Sequence, residues 1–381
     1  MKGVIHVALA VSLSVAARGH GTVVSPRSRN SVDYLVGVDT PVDWPYNADC
    51  ANITGDECHN GQATFWYSQG CFFGCDECAH VDGRRNVDLC GKGGNGTLAE
   101  QYRTVNRDSE FNSVYDIYKH NPWRSPGRAP TADACGLAGG TPWGEEVPEA
   151  GDYTNTTFAH HGMKGSTLRP LPAPHMPPVW TLGTEAEVTW QVSNNHGGGY
   201  QFRLCRAEAD TNQSLSEACF QQTPLEFVTE KQAIYFKNGT MVPVKGTFVT
   251  EGVWPVGSMW AMIPIPSDCL GPRCIPGPND TDSTPNKCLP GEDDLVDGPC
   301  VPCPGTPGSD CSRCDNYCHS KKPAFEPHCP GCQGNRHDMA IRDVVKVPAN
   351  LPPGKYVLGF RLDCEATAQV WNSCSDITLV R

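Results

Sequence analysis

Charged side chains are scarce in this chain, and basic ones are scarcer than acidic ones. Only 19% of the 381 residues are charged, whereas glycine and proline account for 39 and 33 residues. This composition favours short strands and long turns over helices, which argues against a coiled coil or a helical bundle. With 30 Lys and Arg against 42 Asp and Glu, the net charge of -12 would repel a phosphate backbone, so we do not expect nucleic acid as a partner.

Long hydrophobic runs are also missing beyond the amino terminus. The mostly apolar run Val4–Ala17 follows Lys2 and precedes Gly19, a pattern typical of a secretory signal cleaved after that glycine. The run is shorter than the roughly 18 residues of a membrane-spanning helix, and no later stretch reaches that length. We therefore predict a signal peptide at residues 1–19 and a secreted, extracellular protein without a membrane anchor. Sequons for N-glycosylation, which fit export, begin at Asn52, Asn95, Asn155, Asn212, Asn238 and Asn279.

Common hydrolase and phosphate-binding motifs are absent from the sequence. No G-x-S-x-G nucleophile elbow occurs, and Glu145 and Glu146 are adjacent, so these two carboxylates cannot face each other across a substrate. The glycine-rich stretch 91–96 lacks a preceding strand and a Gly-Lys-Ser/Thr ending, and we predict a turn there. The sequence therefore gives no basis for hydrolase chemistry.

Cysteine, by contrast, is abundant, with 21 residues in the chain. This number implies disulfides and an oxidising compartment. Ten cysteines lie between Cys269 and Cys332, where large apolar side chains are few, so we predict a disulfide-rich surface insertion at about 267–338. Four C-x-x-C pairs have a spacing that zinc sites use, but structural disulfides are the favoured interpretation in a secreted chain. Because 21 is odd, at least one cysteine is unpaired or pairs outside the chain.

Period-two alternation of apolar and polar residues predicts strands in the carboxy-terminal half. The alternating segments are 187–192, 200–205, and parts of 355–362 and 376–380. Since no strand–helix rhythm of a parallel sheet accompanies them, we predict an all-β fold, an immunoglobulin/fibronectin-III-like antiparallel β-sandwich with long loops. Few regular elements are expected in 20–178, and five prolines in 168–178 predict an extended strap. One domain, 20–381, is expected to carry the cysteine-rich insertion.

Cleavage after Gly19 would give His20 a free α-amine beside its imidazole ring. The unperturbed pKa of such an amine is about 7.7–8.0 and that of imidazole about 6.5, so both groups can release a proton to a metal near neutral pH. The result is a two-nitrogen chelate at the amino terminus. The alternative is a histidine that happens to stand at the junction.

Three distant motifs complete the pattern. They are His20-Gly-Thr-Val-Val-Ser-Pro26, Asn195-His196-Gly-Gly-Gly-Tyr200 leading into Gln-Phe-Arg-Leu-Cys205, and Gln369-Val-Trp371-Asn-Ser-Cys374. Together they resemble the copper-dependent lytic polysaccharide monooxygenases, in particular the chitin-binding type-4 group and auxiliary activity family fifteen. The resemblance consists of motif islands across most of 20–381, and it leaves out the insertion and much of 50–160.

The resemblance implies a histidine brace, in which the amine and a ring nitrogen of His20 bind copper together with a ring nitrogen of His196. Three neutral nitrogens in a plane suit tetragonal Cu(II) and leave equatorial room for an oxygen species. Gly197–Gly199 are expected to keep the backbone low, so that a flat substrate can approach the metal. His160 and His161 are the competing source of the second ligand, but they lack the strand-entry pattern around His196.

The resemblance also assigns two neighbours of the metal. Gln369 falls where the family places a residue that orients the oxygen species, and Trp371 falls where the family has an axial Tyr or Phe. The implied activity is oxidative cleavage of chitin or cellulose by a monomer that receives electrons from an external donor. A non-catalytic binding protein of the same fold and an extracellular metal-handling or wall-structural protein are the alternatives. Exposed tryptophans could stack on sugar rings, but the sequence does not distinguish them from core residues.

Overall fold

A computed structural model of the chain describes residues 21–32, 66–69, 121–140, 159–192, 195, 197–207, 215–236, 239–265, 339–365 and 369–381. Within these residues, twelve strands account for most of the regular structure. They are β1 (Gly21–Ser25), β2 (Trp66–Gln69), β3 (Val179–Thr181), β4 (Glu185–Val192), β5 (Gly198–Arg206), β6 (Ala233–Phe236), β7 (Met241–Pro243), β8 (Phe248–Val249), β9 (Trp260–Met262), β10 (Met339–Lys346), β11 (Gly354–Cys364) and β12 (Gln369–Val380).

Helical structure among the described residues is limited to short turns. One α-helix, α1 (Glu217–Phe220), is a single turn, and its amino-terminal cap is Ser216. The four 3-10 turns are Arg29–Ser31, Pro122–Arg124, Gly165–Thr167 and Thr229–Lys231. No helix in the described part of the chain has the length and apolar character needed to cross a membrane.

The strands form two sheets that face each other. The first sheet has the order β1-β4-β10-β6-β7, and the second has the order β2-β12-β11-β5-β9-β8. Neighbours along both paths are antiparallel, while β3 joins β12 in parallel, with Val179 beside Thr378. The predicted all-β antiparallel sandwich is confirmed, and the single parallel pair is an addition to it.

Large aromatic rings fill the space between the sheets. Trp190 of β4 lies 4.5 Å from Tyr200 of β5 and 5.1 Å from Phe360 of β11, measured between ring centroids. All three side chains are fully buried. Because burial of each ring removes a large apolar surface from water, this aromatic layer is a main source of the fold's stability. The four predicted strand segments lie within β4, β5, β11 and β12.

Residues 121–140, which we call the cover segment, pack on the outer face of the second sheet. A disulfide between Cys135 and Cys374 joins the cover segment to β12. A second disulfide, Cys205–Cys219, joins β5 to α1. Because the cover excludes water, β11 and the first half of β12 are buried on both faces. The predicted signal peptide and the insertion at about 267–338 lie outside the described residues.

Candidate functional site

The amino-terminal strand begins at one end of the sandwich, where it meets both sheets. Gly21, the first residue of β1, pairs with Val192, the last residue of β4. A Cβ atom added at Gly21 would lie 2.7 Å from Cδ2 of Leu362 on β11, so a larger residue at this position would require the Leu362 side chain to shift. We call the region defined by Gly21, Val192 and Leu362 the Gly21 end of the sandwich.

The connection from β4 to β5 crosses between the sheets at the Gly21 end. The buried Asn195 side chain donates a hydrogen bond to the Ile265 carbonyl (3.0 Å) and accepts one from the Gly197 N–H (2.9 Å). Gly198 has a φ of 97°, and a Cβ atom there would lie 2.1 Å from the Asp363 carbonyl oxygen. Gly198 is thus buried, and its close packing on β11 requires glycine. These contacts fix the chain on both sides of position 196.

Trp371 lies near the start of β12 and belongs to the hydrophobic core. It pairs with Leu362 of β11, the residue that Gly21 approaches. Its ring stacks on Tyr67 of β2, with 4.2 Å between centroids and 22° between planes. Both rings are at most 2% exposed. The structure therefore places Trp371 at the Gly21 end as a packed core residue.

Gln369 lies on the same face of β12 as Trp371, two residues earlier. Ser373, two residues beyond Trp371, accepts a hydrogen bond from the Val23 N–H (3.1 Å), which shows that this face of β12 meets β1. Gln369 is 7% exposed. Gln369 is the first residue of β12, two residues nearer than Trp371 to the start of the strand.

Both histidines of the predicted brace, His20 and His196, lie outside the described residues. Their described chain neighbours, however, converge at the Gly21 end. The alternative pair lies against the cover segment, where the ring of His161 contacts Gly139 and His160 is exposed. Among the residues that the structure describes, no group of three or more His, Cys, Asp or Glu could hold a metal ion.

A buried polar cluster, which the sequence analysis missed, lies between the sheets next to this end. Asp343 of β10 accepts hydrogen bonds from the Tyr200 hydroxyl and the Gln232 amide, each at 2.8 Å, and the Gln232 amide also donates to the Tyr200 oxygen at 2.9 Å. Burial raises the pKa of Asp343 to about 7, although these hydrogen bonds act in the opposite direction. Burial also raises the pKa of Tyr200 well above its usual value. The cluster holds β5 in place four residues after position 196.

The outer face of the second sheet carries a network of buried charges. Arg361 donates hydrogen bonds to Asp363 at 2.7 and 3.2 Å and to Glu217 at 2.8 Å, and Glu217 also accepts from Arg203. Burial acts to raise the pKa of Glu217, but the two guanidinium groups outweigh it and lower that pKa to about 2. Two cations and two carboxylates therefore compensate each other under the cover segment.

Comparisons with known proteins give distant likenesses to solved structures. No protein-family model matches the chain, and no curated protein matches it. The chain is similar to a chitin binding domain from Burkholderia pseudomallei, at 12% identity and a TM-score of 0.31, over 95% of this chain and 100% of that one. It is also similar to an AA10 lytic polysaccharide monooxygenase from Streptomyces lividans, at 12% identity and a TM-score of 0.24, over 57% and 69%. A Bacillus amyloliquefaciens CBM33 in complex with Cu(I) matches at 8% identity and a TM-score of 0.22, over 56% and 61%.

Proposed function

We propose that this protein is a secreted, copper-dependent monooxygenase that oxidatively cleaves a β-1,4-linked polysaccharide, chitin or cellulose. One observation supports the proposal above all: three chain segments that are distant in sequence meet at the Gly21 end. The segments are the start of β1, the connection from β4 to β5, and the start of β12. They contain the predicted site residues or the residues next to them.

The donor set that these segments would supply suits copper. Cleavage after Gly19 would leave the amine and ring of His20 one peptide bond from Gly21, and His196 is one peptide bond from both Asn195 and Gly197. Two imidazole nitrogens and one amine nitrogen are ligands that copper favours. The described part of the chain adds no cluster of thiolates or carboxylates of the kind that zinc or calcium prefers.

Each proposed site residue has a distinct task. Bound copper would supply one-electron redox chemistry with an external reductant and O₂ or H₂O₂. His20 and His196 would hold the metal, and the Gln369 amide would position the oxygen substrate by hydrogen bonding. Trp371 carries an indole N–H, which donates hydrogen bonds but has no lone pair for a metal, so it would border the metal site without acting as a ligand.

Copper uptake tests the ligand assignment. Intact mass should show that the secreted chain begins at His20. Only then is the His20 α-amine free to serve as one of the three nitrogen ligands. We expect one copper ion per wild-type molecule and loss of stoichiometric uptake in His196→Ala. His161→Ala is the matched control and should bind copper as the wild type does. Loss of uptake in His161→Ala alone would transfer the second ligand to the 160–161 pair.

Product analysis separates the enzyme from the second candidate function, a non-catalytic chitin- or cellulose-binding protein. Trp371 favours this alternative, because an indole that fills the core beside Tyr67 is bulkier than the Tyr or Phe that the resemblance leads one to expect. With ascorbate present, the enzyme should release aldonic or 4-keto oligosaccharides from chitin or cellulose. Glycan binding without these products would contradict catalysis, and copper binding without glycan binding would favour a metal-handling protein.

A further inference from the structure

Trp254 is distinguished from every other tryptophan in the described residues by its exposure. It exposes 36% of its surface, whereas none of the others exposes more than 8%. Val256 is 78% exposed, and no heavy atom lies within 4 Å of the position that a Cβ atom of Gly257 would take. Residues 254–257, which we call the Trp254 loop, thus present an open surface with one aromatic ring.

Two hydrogen bonds fix the backbone of Trp254, and a guanidinium group packs on its ring. The Trp254 N–H donates a hydrogen bond to the Pro126 carbonyl at 2.8 Å, and the Trp254 carbonyl accepts one from the Trp260 indole at 3.3 Å. The guanidinium of Arg128 lies over the ring, 4.5 Å from its centroid. A side chain with a fixed backbone and one packed ring face has less conformational freedom to lose on binding.

The support beneath the Trp254 loop continues into the charge network of the second sheet. The Gly127 N–H donates to Asp363 at 2.7 Å, and Arg361 donates to the Ala129 carbonyl at 2.7 Å. Both chain neighbours of Arg128 are therefore anchored to β11. The buried Arg361–Asp363 ion pair therefore also positions Arg128, whose guanidinium packs on Trp254.

Asp363, the residue of β11 that anchors Gly127, lies at the Gly21 end of the sandwich. Asp363 pairs with Gly199 at the start of β5, three residues after position 196. Leu362, the residue before Asp363, is the one that Gly21 approaches. The Trp254 loop and the proposed copper site are thus tied to the same short stretch of β11.

We infer that Trp254 is a sugar-stacking residue that holds one chain of a neutral β-1,4-linked glycan next to the proposed copper site, an inference that rests on the proposed function. An indole face is apolar and flat, and it matches the C–H face of a pyranose ring. A polyanion is a poor occupant, because the chain has a net charge of -12.

Binding to insoluble glycan tests this role without the metal. Chitin and cellulose powders are titrated with EDTA-treated protein, and bound protein is measured by depletion. We expect Trp254→Ala to weaken binding about tenfold, which corresponds to about 1.4 kcal/mol. Trp254→Phe, which keeps an aromatic ring, should retain most of the affinity. Met241→Ala is the matched control, because Met241 is 47% exposed on β7 of the other sheet, and it should bind as the wild type does.

The outcomes separate this inference from the proposed function. Equal binding by wild type and Trp254→Ala would overturn the role of Trp254 alone, whereas a wild type that binds neither glycan would overturn both. A dimer that Trp254→Ala dissociates would assign the loop to a second copy of the chain instead. If the alanine variant does not fold, iodide quenching of tryptophan fluorescence is the second measurement. Soluble chitin or cellulose oligosaccharides should protect the wild-type fluorescence from quenching more than that of Trp254→Phe. Equal protection would overturn the inference.

Discussion

The two faces of the second sheet are buried by different chemistry, although the same strands carry both. On the inner face, rings such as Phe202 and Phe360 pack with centroids 5.7 Å apart. On the outer face, Arg361 beneath the cover segment and Arg203 beneath α1 have side chains only 1% exposed. Removal of apolar surface from water stabilises the inner face, whereas the outer face is stable only if each buried charge has a partner.

This difference determines how each face responds to change. A packed apolar face tolerates substitutions that conserve volume, because no single contact is indispensable. A paired charge has no such freedom, since removal of one partner leaves the other buried and uncompensated. The outer face is also the one that anchors Arg128 and the Trp254 loop, so its geometry affects the surface proposed to bind glycan.

The largest effect is expected from a cavity on the inner face. Phe360→Ala should lower the free energy of unfolding by about 3–5 kcal/mol, because a fully buried ring that contacts Trp190 and Phe202 is removed. Urea unfolding measures the loss. Phe360→Leu, which keeps much of the volume, should cost only about 1–1.5 kcal/mol. Similar losses for both variants would contradict a face stabilised by packed volume.

A somewhat smaller effect is expected from unpairing the outer face. Glu217→Ala should cost about 3 kcal/mol, because it leaves Arg203 buried without this carboxylate. The matched control is Glu226→Ala, which breaks an exposed ion pair with Lys346 at 3.0 Å and should cost less than about 1 kcal/mol. Equal costs in urea unfolding would show that burial of the pair is unimportant.

The pH dependence of Glu217 has a definite sign. Its folded-state pKa of about 2 lies below the ordinary value of 4.5, so its stabilisation is complete above pH 4.5 and is lost as the pH falls towards 2. The Glu217→Ala variant should therefore lose less stability than the wild type as the pH falls from 4.5 towards 2. Parallel acid titrations of the variant and the wild type by circular dichroism would reveal the difference.

A pH-dependent effect is expected at Asp343, a carboxyl group placed among the inner-face rings. Its folded-state pKa of about 7 lies above the ordinary 3.8, so the unfolded chain releases this proton first. Stability from this group therefore falls as the pH rises from about 4 to about 7, by at most about 1.4 kcal/mol per pH unit. Asp343→Asn should reduce that slope in urea unfolding across this range, and an unchanged slope would mean that Asp343 does not titrate there.

The apolar inner face of the second sheet could be predicted from the sequence, but the burial of its outer face could not. In Phe360-Arg361-Leu362, alternation correctly indicates two apolar side chains on one face and a charge on the other. Alternation carries no information about whether a distant segment covers the polar face. The covering contact with Arg361 comes from Ala129, which lies far away in the sequence.

The buried polar cluster shows a similar limit. Asp343 stands between Ile341 and Val345 in the inward row of β10, and this interruption of an apolar row was the available signal. Its partners, Tyr200 and Gln232, belong to other parts of the chain, so only the folded structure identifies them.

The candidate site was predictable in part. Motif recognition selected Gln369 and Trp371, and the structure places both at the Gly21 end, while their roles remain predictions. His20 and His196 also remain predictions. Trp254 could not be selected, because nothing in the sequence distinguishes an exposed tryptophan from the buried ones.

The pairing of β1 has a practical consequence for anyone who prepares this protein. Gly21, the residue after His20, pairs with Val192 of β4, so a residue added before position 20 would block the proposed amine ligand one residue from the sandwich. Recombinant expression should therefore use a leader that is trimmed without a scar. An affinity tag belongs after Arg381, which is exposed at the opposite terminus.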